Sequence, residues 1–474
     1  MSRKSINKIE LGLQVIDINA KGMGVAKSEE GAVYFIKNVV PGDVVDVRVY
    51  KKQRGYFEAE PTKWITSSED RTTPPCEHFG VCGGCKWQHL AYKAQLKFKE
   101  KAVLHNLKHI GKSEPQEILP ILGSENPYFY RNKMEFSFSN NRWLTSEEIA
   151  EEGTIERNGL GFHKPRMWDK IVDINQCHLQ ADPSNEIRNA IRAFALEEGL
   201  EFFDPRAQQG FLRTLMIRNT LKGEVMVLVQ FFENQTENIH KLLNFIKDRF
   251  PKITSLLYCI NSKGNDSIYD QEIFCFYGSD YITEELEDLK FRITAKSFYQ
   301  TNPKQAASLY GIAKEFAQLK PEQTVYDLYT GTGTIALSLA KLCKKIIGIE
   351  SVPEAIEAAK ENASFNKIDN AFFEVGDMKV CFNDAFIEHY GKADVVITDP
   401  PRDGMHKDVV AQLLKLNPER IVYVSCNSAT QARDLELMKA QYNIIKSQAV
   451  DMFPQTHHVE NIVLLQSKSN NEIA

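Results

Sequence analysis

From about residue 321 onward, short apolar runs alternate with amphipathic segments, and the runs end on polar residues. The series reads "TVYDLYT", "KIIGIE", "AFFEVGD", "ADVVITDP" and "IVYVSCN". No other feature constrains the fold as much. Parallel strands need a crossover between them, and strands separated by helical segments predict a parallel, doubly wound α/β sheet. Ligands of such sheets bind beyond the carboxyl ends of the strands. The last two runs, "NIIKSQAV" and "ENIVLLQ", have no helix between them and are expected to form an antiparallel edge pair.

Each strand end then carries a candidate. In "DLYTGTGTIALSLA", residues 327–340, a strand ends at Asp327, Gly331 and Gly333 make the turn, and a helix opens. Glycines there let the backbone approach a ligand closely. The next strand ends on Glu350, placed to bind ribose hydroxyls, and the third on Gly376-Asp377, in reach of an adenine. The loop is not G-x-G-x-x-G, which disfavours a pyrophosphate cofactor. S-adenosylmethionine, a nucleoside without phosphate, suits a glycine loop followed by an acid. In "DPPRDGMH", residues 399–406, two prolines stiffen the turn after Asp399. Arg402 stands where amino-methyltransferases carry an aromatic, and an arginine suits a carbonyl-rich base or a phosphate.

"IVYVSCNSATQ" places Cys426 at the next strand end. A lone cysteine is most often a small core hydrophobe. Beside a methyl donor it has a chemical role. Carbon 5 of uracil is a poor nucleophile until a thiolate adds to carbon 6. The resulting enolate attacks the methyl group, a base removes the carbon 5 proton, and the thiolate leaves. A free thiol of pKa ~8.5 is little ionised at neutral pH, so the site is expected to lower it. "DMFPQTHHVEN" offers His457, His458 and Glu460, and a carboxylate at the mouth of an apolar strand is the better general base.

Residues 8–66 alternate with period two and predict a small all-β unit, followed by a polar, proline-ended linker at 67–75. Residues 91–110 read as one helix with Leu96, Val103, Leu107 and Ile110 on one face. Residues 126–289 mix short strands with helices. Cys76, Cys82 and Cys85 form C-x5-C-x2-C around Gly83-Gly84; Cys177 offers a fourth ligand, and His78, His89 or His178 can replace one. Zinc and an iron–sulfur cluster both use such a set, and spacing alone does not choose between them. Cys259, Cys275, Cys343 and Cys381 are expected in the core. Nine cysteines, an odd count, argue against a disulfide framework.

The net charge of −5 conceals an asymmetry: residues 1–110 hold 18 Lys and Arg against 12 Asp and Glu, the remainder 40 against 51. A basic front end on an acidic body fits a module that grasps RNA phosphates, although a solvated charged face has the same composition. No apolar run approaches the ~18 residues of a membrane span. The opening "MSRKSINKIELGLQV" lacks the apolar core of a secretory signal, so a cytoplasmic protein without a membrane partner is expected.

With these pieces in order, the chain resembles the RNA uracil-5-methyltransferases, and most of all the bacterial 23S rRNA enzymes that carry an N-terminal TRAM domain and a [4Fe-4S] cluster. The resemblance spans nearly the whole chain and rests on "CEHFGVCGGCKWQHL", "SFYQTNPKQ", "DLYTGTGT", "TDPPRDGMH", "YVSCNSAT" and "DMFPQTHHVE". It implies a TRAM (OB-like) RNA-binding β-barrel at 1–67 and a central α+β domain with the cluster at 68–289. A Rossmann-like S-adenosylmethionine-dependent methyltransferase domain follows at 290–474, with helix 91–110 packing on it. The resemblance makes Cys426 the nucleophile and Glu460 the base. It puts Gln300, Tyr329, Thr334, Glu350, Asp377 and Asp399 in the cofactor pocket, and a [4Fe-4S] cluster, in place of zinc, on Cys76, Cys82, Cys85 and Cys177.

The resemblance favours 23S rRNA over tRNA as substrate, and a monomer is expected. Phe298 or Tyr299 is expected to stack on the flipped uracil, since base extrusion needs an apolar or aromatic face, and Arg402 to contact the substrate. The chain departs from its relatives at Thr330, often a cysteine; at Thr334, an asparagine in some; and at Ser428, usually a proline. From another class, the alternative is a non-catalytic RNA-binding or redox-sensing TRAM–iron–sulfur protein, against which an intact Cys426 and Glu460 argue.

Overall fold

The structure, a computed structural model, describes residues 8–151, 153 and 155–468. Five strands close a barrel in the order β1-β2-β3-β5-β4: β1 (Lys8–Ile18), β2 (Gly24–Lys27), β3 (Val33–Ile36), β4 (Val44–Gln53) and β5 (Tyr56–Thr66). The period-two pattern is the cause. In β4, Val45, Val47 and Val49 are buried and join Leu13, Val15, Tyr34 and Ile36 in the barrel core, while Arg48 between them is exposed. The first seven residues of the expected barrel segment lie outside the described residues.

After the cysteine segment come α1 (Tyr92–His109) and β6 (Glu117–Leu122). The next stretch holds β7 (Lys133–Ser139), α2 (Ser146–Ala150), β8 (Gly159–Lys164), β9 (Met167–Asp173), α3 (Ser184–Glu197), β10 (Leu212–Asn219), β11 (Val225–Phe231), α4 (Thr236–Arg249), β12 (Ser255–Ile260) and β13 (Phe274–Gly278). Its strands form one sheet, β13-β12-β11-β10-β7-β8-β9, covered by Ile187 and Ile191 of α3 and Leu242 and Leu243 of α4. A separate hairpin follows, β14 (Tyr281–Leu286) and β15 (Leu289–Thr294). The division expected between residues 289 and 290 therefore falls inside β15, because "YITEELEDLKFRIT" pairs with itself about Glu287-Asp288.

The rest is α5 (Pro303–Ala317), β16 (Thr324–Leu328), α6 (Thr334–Ala340), β17 (Lys345–Glu350), α7 (Pro353–Phe365), β18 (Ala371–Val375), α8 (Met378–Cys381), α9 (Asp384–Tyr390), β19 (Val395–Thr398), α10 (Lys407–Leu416), β20 (Arg420–Ser425), α11 (Ser428–Met438), β21 (Tyr442–Val450) and β22 (Glu460–Ser467). The strands build an eight-stranded sheet, β18-β17-β16-β19-β20-β22-β21-β6, in which β16 to β20 are parallel. Every residue of β16, β19 and β20 is buried, as apolar runs covered on both faces require. Val325, Val395 and Val422 enter one core and their neighbours Tyr326, Val396 and Ile421 the other. Strand order reverses between β16 and β19, which opens a crevice at their carboxyl ends.

Two expectations are corrected. β21 and β22 do pair antiparallel, but β6 adds in parallel to β21 and takes the edge, satisfying backbone groups that an edge strand would leave open. α1 carries the chain there, packing Val103 and Leu107 with Ala432 and Leu435 of α11. α1 and β6 thus pack with the large sheet. The buried stripe of α1 also differs: Gln95 and Lys99 are buried while Ile110 is exposed, because both polar side chains bond a loop at the far end of the chain. Among the described residues, no helix is long and apolar enough to cross a membrane.

Candidate active site

Five parallel strands present their carboxyl ends at one rim, and β22, antiparallel to β20, presents its amino end there. In sheet order the rim carries Asp377, Glu350, Tyr329, Asp399, Cys426 and Glu460. Ser425 and Asn461 are ladder partners, so one step further along the same register Cys426 stands opposite Glu460. Gln431 of α11 locks that register. Its Nε2 donates to Tyr423 O at 2.9 Å and Asn461 O at 3.1 Å, and Asn461 Nδ2 donates to Gln431 Oε1 at 2.8 Å.

Asn427 explains the residue after the cysteine. Its Oδ1 caps α11 by accepting from Ala429 N at 3.1 Å, and its Nδ2 donates to Arg402 O at 2.9 Å. The Thr430 hydroxyl donates to the same carbonyl at 3.0 Å. The Asp-Pro-Pro-Arg loop is thereby hooked onto the cysteine turn, with the Arg402 side chain exposed.

The electrostatics correct one expectation. Burial pushes the Cys426 thiol up to about 11, the charges of Glu460 and Asp399 add to the rise, and Arg402 opposes it. Burial likewise raises Glu460 to about 8, with Asp399 adding, and Asp399 to about 7, with Asp327 adding. The site thus stores protons at rest, since charged forms are penalised where water is excluded. Burial holds His457 down at about 3 and His458 at about 4, so both are neutral and neither offers a cation to RNA.

On the cofactor half, Tyr329, Gly331 and Gly333 take φ values of 65°, 57° and 78°. A Cβ at Gly331 would meet nothing within 4 Å, which leaves open space over the turn. Glu350 Oε2 accepts from Gly331 N at 3.2 Å, and Oε1 from Ser351 N at 2.7 Å. Asp377 is exposed and caps α8 through Lys379 N at 2.8 Å. Thr334 opens α6, buried; Gln300 is half-buried, and its carbonyl accepts from Asn132 Nδ2 at 3.1 Å. Asp327, used from the sequence only to mark a strand end, proves a further candidate. Its Oδ2 accepts from the Thr330 hydroxyl at 2.5 Å, its Oδ1 is buried without a partner, and burial raises it to about 7. An open glycine turn, a strand-end acid and an unsatisfied buried acceptor fit a nucleoside ligand rich in hydroxyl and amino donors.

The adjacent aromatics separate. Tyr299 is 6% exposed and packs 6.1 Å from Phe291, and it lines the same cavity as Phe298. Phe298 is 63% exposed, and its carbonyl accepts from the Thr332 hydroxyl of the glycine loop at 3.4 Å. Phe298→Ala is expected to raise KM for RNA about tenfold, the loss of one stacking contact of ~1–3 kcal/mol, with KM for S-adenosylmethionine unchanged. Equal KM values for RNA would remove Phe298 from the interface.

Cys76, Cys82, Cys85 and Cys177 line one cavity of about 470 Å³, which also takes in Phe298 and Thr301. Burial raises the Cys82 thiol to about 11 and Cys85 to about 12. Two histidines considered as substitutes are engaged: His78 Nε2 accepts from Asn175 N at 3.1 Å, and the His89 ring nitrogen lies 3.4 Å from Val39 O. Of the four cysteines expected in the core, Cys259 and Cys343 are buried and Cys381 half-buried, whereas Cys275 is exposed on β13, at the sheet edge.

The tRNA (uracil-5-)-methyltransferase family model matches residues 216–468, a span that holds the whole rim. The chain belongs to this family. A Bacteroides thetaiotaomicron protein named an uncharacterized RNA methyltransferase is 52% identical over 451 residues, covering 94% of this chain and 99% of its own. A Chlorobaculum tepidum protein of the same description is 39% identical, covering 96% and 95%. The crystal structure of Pyrococcus abyssi tRNA (uracil-54, C5)-methyltransferase in complex with S-adenosyl-L-homocysteine superposes with a TM-score of 0.73 at 30% identity, covering 95% of this chain and 99% of that one. As a uracil-5-methyltransferase family member with this sheet, the protein is an S-adenosylmethionine-dependent RNA methyltransferase.

Proposed function

We propose that the protein methylates carbon 5 of a uridine in 23S rRNA, with Cys426 as nucleophile and Glu460 as general base. The observation that carries the catalytic part is the β20–β22 register, which sets these two side chains opposite each other beside the cofactor crevice. S-adenosylmethionine, when bound, supplies an electrophilic methyl group and a positive sulfonium at the rim. Glu350 is suited to the ribose hydroxyls, and Tyr329, Thr334, Asp377, Gln300 and Asp399 to the remainder of the cofactor pocket. Cys426, on losing its thiol proton, adds to uracil carbon 6 and makes carbon 5 the nucleophile, which takes the methyl group and releases S-adenosyl-L-homocysteine. After methylation, the Glu460 carboxylate takes the carbon 5 proton, the carbon 5–carbon 6 double bond re-forms, and the thiolate leaves.

The substrate reading rests on the pairing of a closed N-terminal barrel, read as TRAM, with four cysteines around one cavity. A tRNA substrate is the second reading, favoured by the printed activity of the Pyrococcus abyssi relative. Labelled S-adenosylmethionine given with total RNA from a strain lacking the protein separates them: 5-methyluridine in 23S rRNA supports the first, in tRNA the second. Label outside carbon 5 of uridine overturns both.

The cysteine set is read as the seat of a [4Fe-4S] cluster. Among the described residues, no three His, Cys, Asp or Glu donors stand close enough to hold a single metal ion. All four thiols line one cavity, and four thiolates are the ligand set such a cluster takes. Protein purified without oxygen should contain iron and acid-labile sulfide in near-equal amounts; stoichiometric zinc instead would refute the cluster.

A further inference from the structure

The loop between β21 and β22, residues 451–459, delivers Glu460 to the rim. Val450 and Glu460 are themselves ladder partners, so the chain leaves the sheet and re-enters it at one level. The polar stripe of α1 holds this excursion. Lys99 Nζ donates to Asp451 Oδ1 at 2.5 Å and to Phe453 O at 3.0 Å, and both side chains of the ion pair are wholly buried. The Tyr92 hydroxyl donates to Asp451 Oδ2 at 2.9 Å. One turn along the helix, Gln95 Nε2 donates to Gln455 Oε1 at 2.9 Å, and Gln455 N donates to Gln95 Oε1 at 3.0 Å. Gln455 sits at φ 66°, a conformation uncommon for residues other than glycine. Its carbonyl accepts from Lys86 N and Trp87 N, directly after Cys85.

Closing a loop does not require a buried charge pair. Apolar side chains of the same volume would hold it without the desolvation penalty, and what the pair adds is a single direction and register. We propose that Lys99 and Gln95 are positioning residues, holding the 451–459 loop so that the Glu460 carboxyl stands where it removes the carbon 5 proton. The inference rests on Glu460 being the base and goes beyond it. Thiolate addition and methyl transfer use Cys426 on the other strand, so a slack loop slows only the last step. The methylated RNA then stays joined to Cys426 through carbon 6.

The test uses the full chain with Lys99→Met and Asp451→Asn combined, which keeps the volume and strands no lone charge. Turnover should fall about 100-fold, the order expected for a reacting group displaced by about 1 Å. KM for RNA and for S-adenosylmethionine should stay within about threefold. A covalent, methyl-labelled protein–RNA complex with ordinary uridine RNA should accumulate on denaturing gels. Gln95→Met, which leaves the ion pair intact, is read in the same way should the double variant not fold. Glu460→Gln is run alongside. If Glu460→Gln traps no complex, the assignment of the base fails. If it traps complex while the α1 variants turn over normally, or lose complex and turnover together, the positioning role is overturned.

Discussion

Serine in place of Cys426 should lower methyl transfer to RNA by about 10⁴-fold or more while leaving S-adenosylmethionine binding within about twofold. Addition to carbon 6 requires an anion, and a hydroxyl is far harder to ionise than a thiol. The check is RNA carrying 5-fluorouridine. Fluorine cannot leave carbon 5 as a proton does, so the wild-type protein should stall as a methylated covalent adduct and the serine variant should form none. An adduct that survives the substitution would assign the addition to another residue. In the wild type, adduct formation should also accelerate as pH rises, because burial holds the Cys426 thiol at about 11. Loss of a proton is the condition for attack.

Glutamine in place of Glu460 should reduce turnover about 10²–10⁴-fold, the usual contribution of a positioned base, and leave methylated RNA attached to the protein. The limb of the wild-type rate profile that rises through about pH 8 should vanish in the variant. A stability signature accompanies it. Burial raises the folded-state pKa to about 8 from the 4.5 of an exposed glutamate. An acid raised in this way binds its proton more tightly when folded, so its stabilising contribution is full below about pH 4.5 and is lost as pH rises through about 8. Glutamine has no proton to lose. The variant should therefore gain in melting temperature relative to wild type above pH 8 and not below pH 4.5. Parallel melting curves for the two proteins across that range would show that Glu460 is not the buried acid the structure describes.

Where sequence and structure part, the cause is packing between distant segments. Period two in "DVVDVRVY" is a local property and survived as the buried valines of β4. Apolar periodicity in residues 91–110 located α1 but misplaced its buried stripe. Lys99 and Gln95 look like solvent residues until the loop, 352 and 360 residues further on, presents an aspartate and a glutamine to them. "EILPIL" carries too short a pattern to announce a strand of the large sheet, and β6 exists because β21 has an open edge to fill. Phe298 and Tyr299 are equivalent as letters, and only the core around Phe291 decides which ring remains outside. Asp327 was visible as the first of the strand-end acids, but its unsatisfied oxygen is a property of the folded crevice.

The alternation of strands and helices, the strand-end acids, Cys426 with Glu460, and the four cysteines were legible in the amino-acid sequence. Each is encoded within a few residues, where hydrophobic period and turn chemistry act. Only the tertiary structure decided that Cys426 faces Glu460, since that depends on the register of two strands separated by α11 and β21. It also decided the sign of the thiol shift. A cysteine expected to be lowered is raised, because desolvation and two neighbouring carboxylates outweigh a single exposed arginine.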